Sequence, residues 1–371
     1  MPQLNSCLRF AVLTLLGSYL AAPALADEPP GVVLREFIYD PADVSFPGVH
    51  ASTIAETPDG LVAAFFGGTD EGEDDVGIWV SRHINGKWTA PVEVADGVQH
   101  KSLRYPCWNP VLFQHQDGPL QLYYKVGPDP RGWWGMLTES TDNGASWSEP
   151  RRLPQSIDGP VKNKPVLLAN GELLSGCSIE YDDWRVHFEI TADQGRTWER
   201  IGPINDPGEL PAIQPTIIQH RDGSLQALCR TKSAGKIVST TSTDNGRTWS
   251  RLEETDLPNP NAGFDAVTLK DGRHVMIYNH TRRHSGTPRG RNLINLAVTE
   301  DGEHWQAAMI VEQGQGEFSY PAIIQTSDGL VHTTYTWRRK TVRHVVIDPD
   351  KLELTPIVGG VWPGLPEAGV E

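Results

Sequence analysis

Dispersed along this chain are polar side chains that would form one anion-binding, proton-handling site if a fold gathered them. Lys162, Lys164 and Arg230 are cations in a sequence whose formal net charge is −15. Aimed at one point they would repel each other when empty, and a carboxylate or sulfate would neutralise them, Arg through paired hydrogen bonds. Arg282 and Arg338 could join that grip, and Asn163 and Gln214 could add neutral hydrogen bonds. His50 titrates near neutrality and suits acid or base work. Glu71 and Glu180 either take part in the site or pair with its cations in a structural network. Trp108 and Trp337 offer flat apolar faces of the kind that stack on the C–H face of a sugar ring. Asp75 and Tyr320 complete the set.

Two repeats supply the elements that would position these residues. The phrase Ser/Thr-x-Asp-x-Gly-x-x-Trp occurs at Ser140–Trp147, Thr191–Trp198 and Ser242–Trp249, with worn copies ending at Trp88 and Trp305. The five tryptophans are 59, 51, 51 and 56 residues apart, a period typical of repeat architectures. Within the phrase, Asp closes a tight turn, Gly supplies positive φ and Trp folds back on the sheet. The second repeat is a hairpin signal at Asp59-Gly60, Asp117-Gly118, Asn170-Gly171, Asp222-Gly223, Asp271-Gly272 and Asp328-Gly329, each between β-rich runs. One hairpin of each kind per period makes four strands, and such units repeated radially make a propeller. The expectation is all-β: a six-bladed β-propeller of four-stranded antiparallel blades. The sixth blade runs out of sequence before a Trp phrase, whereas Val32–Tyr39 is a lone strand ahead of the first repeat. That N-terminal strand should complete the last blade and close the ring, removing exposed edges. The first strand of each blade then lines the central channel, and the residues named above sit at the ends of those strands.

Residues 1–26 read as a secretory leader: an apolar run from Leu8 to Ala22 whose one charge is Arg9, followed by Ala24-Leu25-Ala26. Residues 27–371 would then be a single propeller, periplasmic or secreted, with no membrane insertion. Its acidity argues against nucleic acid as a partner. Cys107, Cys177 and Cys229 lie in strands and read as small buried hydrophobes. Their separation suggests no metal site, and no cofactor is implied.

The Asp boxes, the six-fold period and the phrases Gly68-Thr-Asp-Glu71, Asp75-Val-Gly-Ile-Trp79, Val161-Lys-Asn-Lys-Pro165, Glu317-Phe-Ser-Tyr-Pro321 and Tyr335-Thr-Trp-Arg338 resemble the sialidase superfamily. Within it they are most similar to the predicted-neuraminidase branch with BNR/Asp-box repeats. The resemblance implies a glycoside hydrolase acting on an acidic terminal sugar, with an anionic carbohydrate as substrate. Sialidases use a tyrosine nucleophile, an exception to the paired-carboxylate scheme, and Tyr320 matches its place. Asp75 matches the acid/base, Arg230 one of three carboxylate-gripping arginines, and Arg282 or Arg283 another. Two positions depart from the pattern. His50 stands where the first arginine is expected, and Gln214 where a glutamate would activate the tyrosine. Gln cannot take a proton, so a lyase or hydrolase on uronic-acid or rhamnose-containing glycans using His50 and Tyr320, or a binding propeller without catalysis, remain open.

Overall fold

A computed structural model describes residues 28–233, 235–282 and 290–365; the proposed leader, Arg283 and the last residues lie outside this range. Six antiparallel sheets follow one another along the chain and form a six-bladed β-propeller. Each inner strand turns at its Asp-Gly or Asn-Gly signal into the second strand, as Gly48–Thr57 does into Gly60–Gly68 and Ala212–Gln219 into Leu225–Thr231. Each complete Trp phrase joins the third strand to the fourth. In blade four it lies between Lys236–Ser242 and Glu253–Pro258. There Asp244 Oδ1 accepts from Ser242 Oγ (2.8 Å) and from the Thr248 amide (2.9 Å), while Trp249 Nε1 donates to the Gly246 carbonyl (2.9 Å). Trp249 stacks on Phe188 of the preceding blade at 3.9 Å, so the phrase also seals neighbouring blades.

Blade six is built from Phe318–Gln325, Val331–Trp337 and Thr341–Ile347, completed by the N-terminal strand Val32–Phe37 pairing antiparallel with Thr341–Ile347. The closure expected from the sequence is present. Glu36 fastens it, accepting from Trp88 Nε1 of blade one (2.8 Å) and lying 2.9 Å from His344 Nδ1 of blade six. The three cysteines are free and buried. Among the described residues no helix is long and apolar enough to cross a membrane.

One backbone device recurs on the inner strands and decides what faces the channel mouth. In blades one, two, four and six the register slips by a bulge, at His50/Thr53, opposite Tyr123/Lys125, at Ile213/Thr216 and at Ser319/Ala322. At each slip one residue has positive φ: Ala51 (54°), Asn109 (37°), Gln214 (56°) and Tyr320 (52°). Proline follows the last three. A bulge re-aims a side chain, and a left-handed bulky residue costs roughly 1–3 kcal/mol, which other contacts must offset.

Candidate active site

Tyr320 is buried at the inner edge of blade six, and its hydroxyl meets Arg230 Nη1 from blade four at 2.5 Å. Arg230 Nη1 also donates to Gln214 Oε1 (3.1 Å), and Gln214 Nε2 lies 3.5 Å from the tyrosine oxygen. His50 packs its ring on Tyr320 with centroids 4.1 Å apart. Four residues from blades one, four and six thus share one point, as the sequence implied for Tyr320, Arg230, Gln214 and His50.

Lys162 and Asn163 stand beside this point in another capacity than a grip on a ligand. The Lys162 ammonium is buried and donates to Asn163 Oδ1 (2.9 Å), to the Phe264 carbonyl (2.9 Å) and to the Pro321 carbonyl. Asn163 Nδ2 donates to the Gln214 carbonyl (3.0 Å). The pair therefore braces the bulges that carry Gln214 and Tyr320. Burial brings Lys162 down to about 7, with Asp265 opposing and Lys164 and Arg230 adding to the fall. Glu189 accepts from the amides of Asp158 and Gly159, just upstream of Lys162 (2.9 and 2.7 Å), and lies with Cys177 and His187 in a buried cluster whose ligand-type atoms are all within 4.8 Å. That cluster fixes the loop delivering Lys162.

Several expectations require correction. Lys164 belongs to the far end of the inner strands. It pairs with buried Asp265 (2.9 Å) and lines a cavity of about 460 Å³ with Gln219, Arg221 and Asp271, beside the Asp-Gly hairpins. Arg338 is exposed and lies over the Trp337 ring at 4.3 Å; the next residue, Arg339, turns inward instead. Arg282 is exposed, and the blade-five arginine against Tyr320 is Arg291, 5.5 Å from its ring centre. Trp108 is buried, bonded through Nε1 to the Gly127 carbonyl (2.9 Å) with Gly72 packed over it, so it supports a loop and offers no platform. Trp337 is packed edge-on against Phe37 of the closing strand. The aromatic beside the site is Trp184, 5.1 Å from the Arg230 guanidinium.

Asp75 is exposed, and both its oxygens accept from the Thr69 amide at 3.0 Å, with the Thr69 hydroxyl at 2.6 Å. Against the upward push of slight burial, these bonds and Arg104 hold its carboxyl below the ordinary range. It closes the Thr69–Asp75 loop. Glu71 on that loop bonds Arg339 (2.6 Å) and lines a small cavity with His50 and Asp70. Glu180, just past the second strand of blade three, is mostly buried near Arg230 and Lys232; burial lifts its carboxyl to about 7 despite those cations.

Three residues central to the geometry were assigned no role from sequence. Glu317 accepts from Arg291 Nη1 (2.9 Å) and pairs with Arg339 Nε (3.2 Å); burial alone would raise its carboxyl, but the two arginines hold it at about 2. Asn261 orients two arginines, its Oδ1 accepting from Arg230 Nε (2.7 Å) and its carbonyl from Arg291 Nη2 (2.8 Å). Arg291 sits just before the third strand of blade five, outside the first two strands from which mouth residues were read. The available signal was the phrase Glu317-Phe-Ser-Tyr-Pro321 itself, with an acid three residues before the tyrosine.

The site is thus a buried phenol and imidazole beside Arg230, Arg291 and Arg339. Burial, together with Arg339, Arg291, Arg230 and Lys162, holds His50 far below its usual titration range, so it is neutral. The model of a family described as BNR repeat-like domain matches residues 59–333. No curated protein is matched. Among solved structures the chain is similar to a protein of unknown function from Dyadobacter fermentans DSM 18053, with a TM-score of 0.70, 18% identity, and coverage of 86% of this chain and 99% of that one. It is also similar to the intramolecular trans-sialidase from Ruminococcus gnavus in complex with oseltamivir carboxylate (0.68, 13%, 86% and 98%). A third likeness is to the NanB sialidase from Streptococcus pneumoniae (0.68, 12%, 86% and 71%). At these identities the likeness concerns the fold.

Proposed function

Since the chain belongs to the BNR repeat-like domain family, we propose that it is a periplasmic or secreted sialidase-type glycosidase acting on a terminal carboxylated sugar of glycans. One observation carries the reading: the Tyr320 hydroxyl lies 2.5 Å from Arg230, with Arg291 against its ring. The arginines would hold the substrate carboxylate, and Arg230 Nη1 positions the Tyr320 oxygen beside it. Tyr320 Oη would attack the anomeric carbon as the glycosidic C–O bond breaks, its own proton passing to water. A neutral tyrosine hydroxyl suits that step, because a carboxylate nucleophile would meet the substrate's own negative charge. Glu180 is better suited than Asp75 to protonate the departing oxygen, because burial keeps a proton on it to about pH 7 while Asp75 is held ionised. Water would then release the sugar.

A second reading, elimination on a uronate, is favoured by Gln214, which cannot serve as a base, and by the neutral His50 against Tyr320. His50 would take the proton from the carbon beside the carboxylate, and Tyr320 would return one to the oxygen leaving the next carbon. Digests of sialosides, Kdo-type and uronic oligosaccharides followed by mass detection separate the two. Hydrolysis adds water to the products, and elimination leaves an unsaturated sugar absorbing in the ultraviolet. Tyr320→Phe should cut either turnover by about a thousandfold or more with the fold intact; undiminished turnover would remove Tyr320 from both schemes.

A further inference from the structure

Beside Tyr320 two buried polar atoms have no partner among the described residues: His50 Nε2 and Arg291 Nε, on residues only 1% and 5% exposed. Such atoms are costly to bury unless a ligand completes them. Their chemistry differs. Arg291 Nε is a donor and suits a carboxylate. His50 Nδ1 lies 2.9 Å from the Thr336 hydroxyl, leaving Nε2 as the inward atom. The nearby cations Arg339, Arg291, Arg230 and Lys162 favour the tautomer that leaves a lone pair on Nε2 over one that adds a positive N–H there. Nε2 is therefore an acceptor and asks for a hydrogen, where an arginine in its place would have asked for a second carboxylate contact.

We infer that the carboxylated sugar taken here is a hexuronate and not a 3-deoxyulosonate. This rests on the carboxylated-sugar reading above in its hydrolytic form, where the sugar is terminal. In a hexuronate the carbon bearing the carboxylate carries a hydrogen, and its ring neighbour carries an oxygen. When the sugar is terminal that oxygen is a hydroxyl, one carbon from the carboxylate, able to donate to His50 Nε2 while Arg291 holds the carboxylate. In a 3-deoxyulosonate the carboxylate-bearing carbon is quaternary and its carbon neighbour is a methylene. That sugar offers His50 no hydrogen to accept on that side, and the buried lone pair would stay unmet.

Calorimetric titration of the full chain tests this with four probes: methyl glycosides of glucuronate, of 4-deoxyglucuronate, of N-acetylneuraminate and of Kdo. The glucuronoside should bind at least about tenfold tighter than the other three, the cost of one unmet buried acceptor. In His50→Ala the penalty for the missing hydroxyl should vanish. His50→Arg, which restores a donor, should shift preference toward the two ulosonosides. Equal or tighter binding of the ulosonosides by the native protein overturns the inference while leaving the carboxylated-sugar reading standing, and so does a deoxy penalty that survives His50→Ala. Failure of every carboxylated probe to bind overturns both.

Discussion

At the scale of single residues the site is a balance of charge and burial. Arg230 and Arg291 lie against Tyr320 and Arg339 beside His50, yet Glu317 and Glu71 already engage two of the three. One further negative charge suits what remains, which fits a monocarboxylate better than a polyanion. Glu180 gives this scale its pH dependence. Its pKa is raised from 4.5 to about 7, so the protonated donor persists up to neutrality and is lost above it. Turnover should fall as pH rises through about 7, and Glu180→Gln should flatten that limb in a pH–rate profile; an unchanged limb assigns it to another group. Lys162 tests the bracing role. Lys162→Met leaves three carbonyl acceptors without their buried donor, and urea denaturation should show a loss of about 3 kcal/mol. A neutral outcome would mean water replaces the ammonium. How much of this was legible in sequence depended on the strand. Tyr320, Arg230, His50 and Gln214 all lie on first or second strands, whose channel-facing ends follow from hairpin counting. Arg291 and Asn261 lie on a third strand's approach and in a loop, where no periodicity points inward. The choice of Arg338 over Arg339 was a one-residue error at a turn where both have positive φ (54° and 59°), so alternation no longer tells which side chain turns in.

At the scale of elements the Asp boxes are the clearest success of reading by turn chemistry, because Asp, Gly and Trp act within eight residues and need no distant partner. Asp142, Asp193 and Asp244 are held at about 2 by hydrogen bonds, chiefly from Ser146, Thr197 and Thr248. Since the folded values lie below the ordinary 3.8, their stabilisation is complete above about pH 4 and is lost as pH falls toward 2. Thermal midpoints should be level above pH 4 and decline below it, and the triple Asp→Asn variant should have both a lower plateau and a shallower decline. An unchanged acid slope would place acid sensitivity elsewhere, for example at Glu317. The inner-strand bulges were not foreseen. Asn109-Pro110, Gln214-Pro215 and Tyr320-Pro321 share a residue-Pro signature, but proline alone reads as an edge or a turn and gives no sign of a left-handed residue in front of it.

At the scale of the molecule, closure makes the ends of the chain one structure. Removing residues through Phe37 should leave the edge of Thr341–Ile347 unpaired and free Glu36's partners His344 and Trp88. Such a truncation should melt at a lower temperature and aggregate through the bared strand, whereas a chain beginning at Glu28 should not; equal melting of the two would show that the ring holds without its clasp. The closure was legible because strand counting left one unit short at the end and one strand spare at the start.

That seam has a consequence in time. The strand made first must wait, unpaired, while some three hundred residues are added, because its partner Thr341–Ile347 is among the last to be synthesised. Blades one to five can assemble from neighbours in sequence, but the sixth joins the two extremities of the polypeptide. The circle therefore locks only after synthesis is nearly finished, and its final step pairs segments of very high sequence separation, the slow kind of event in folding. A circular permutant that places Val32–Phe37 directly after Ile347 would turn that last long-range encounter into a local hairpin and should refold faster to the same ring.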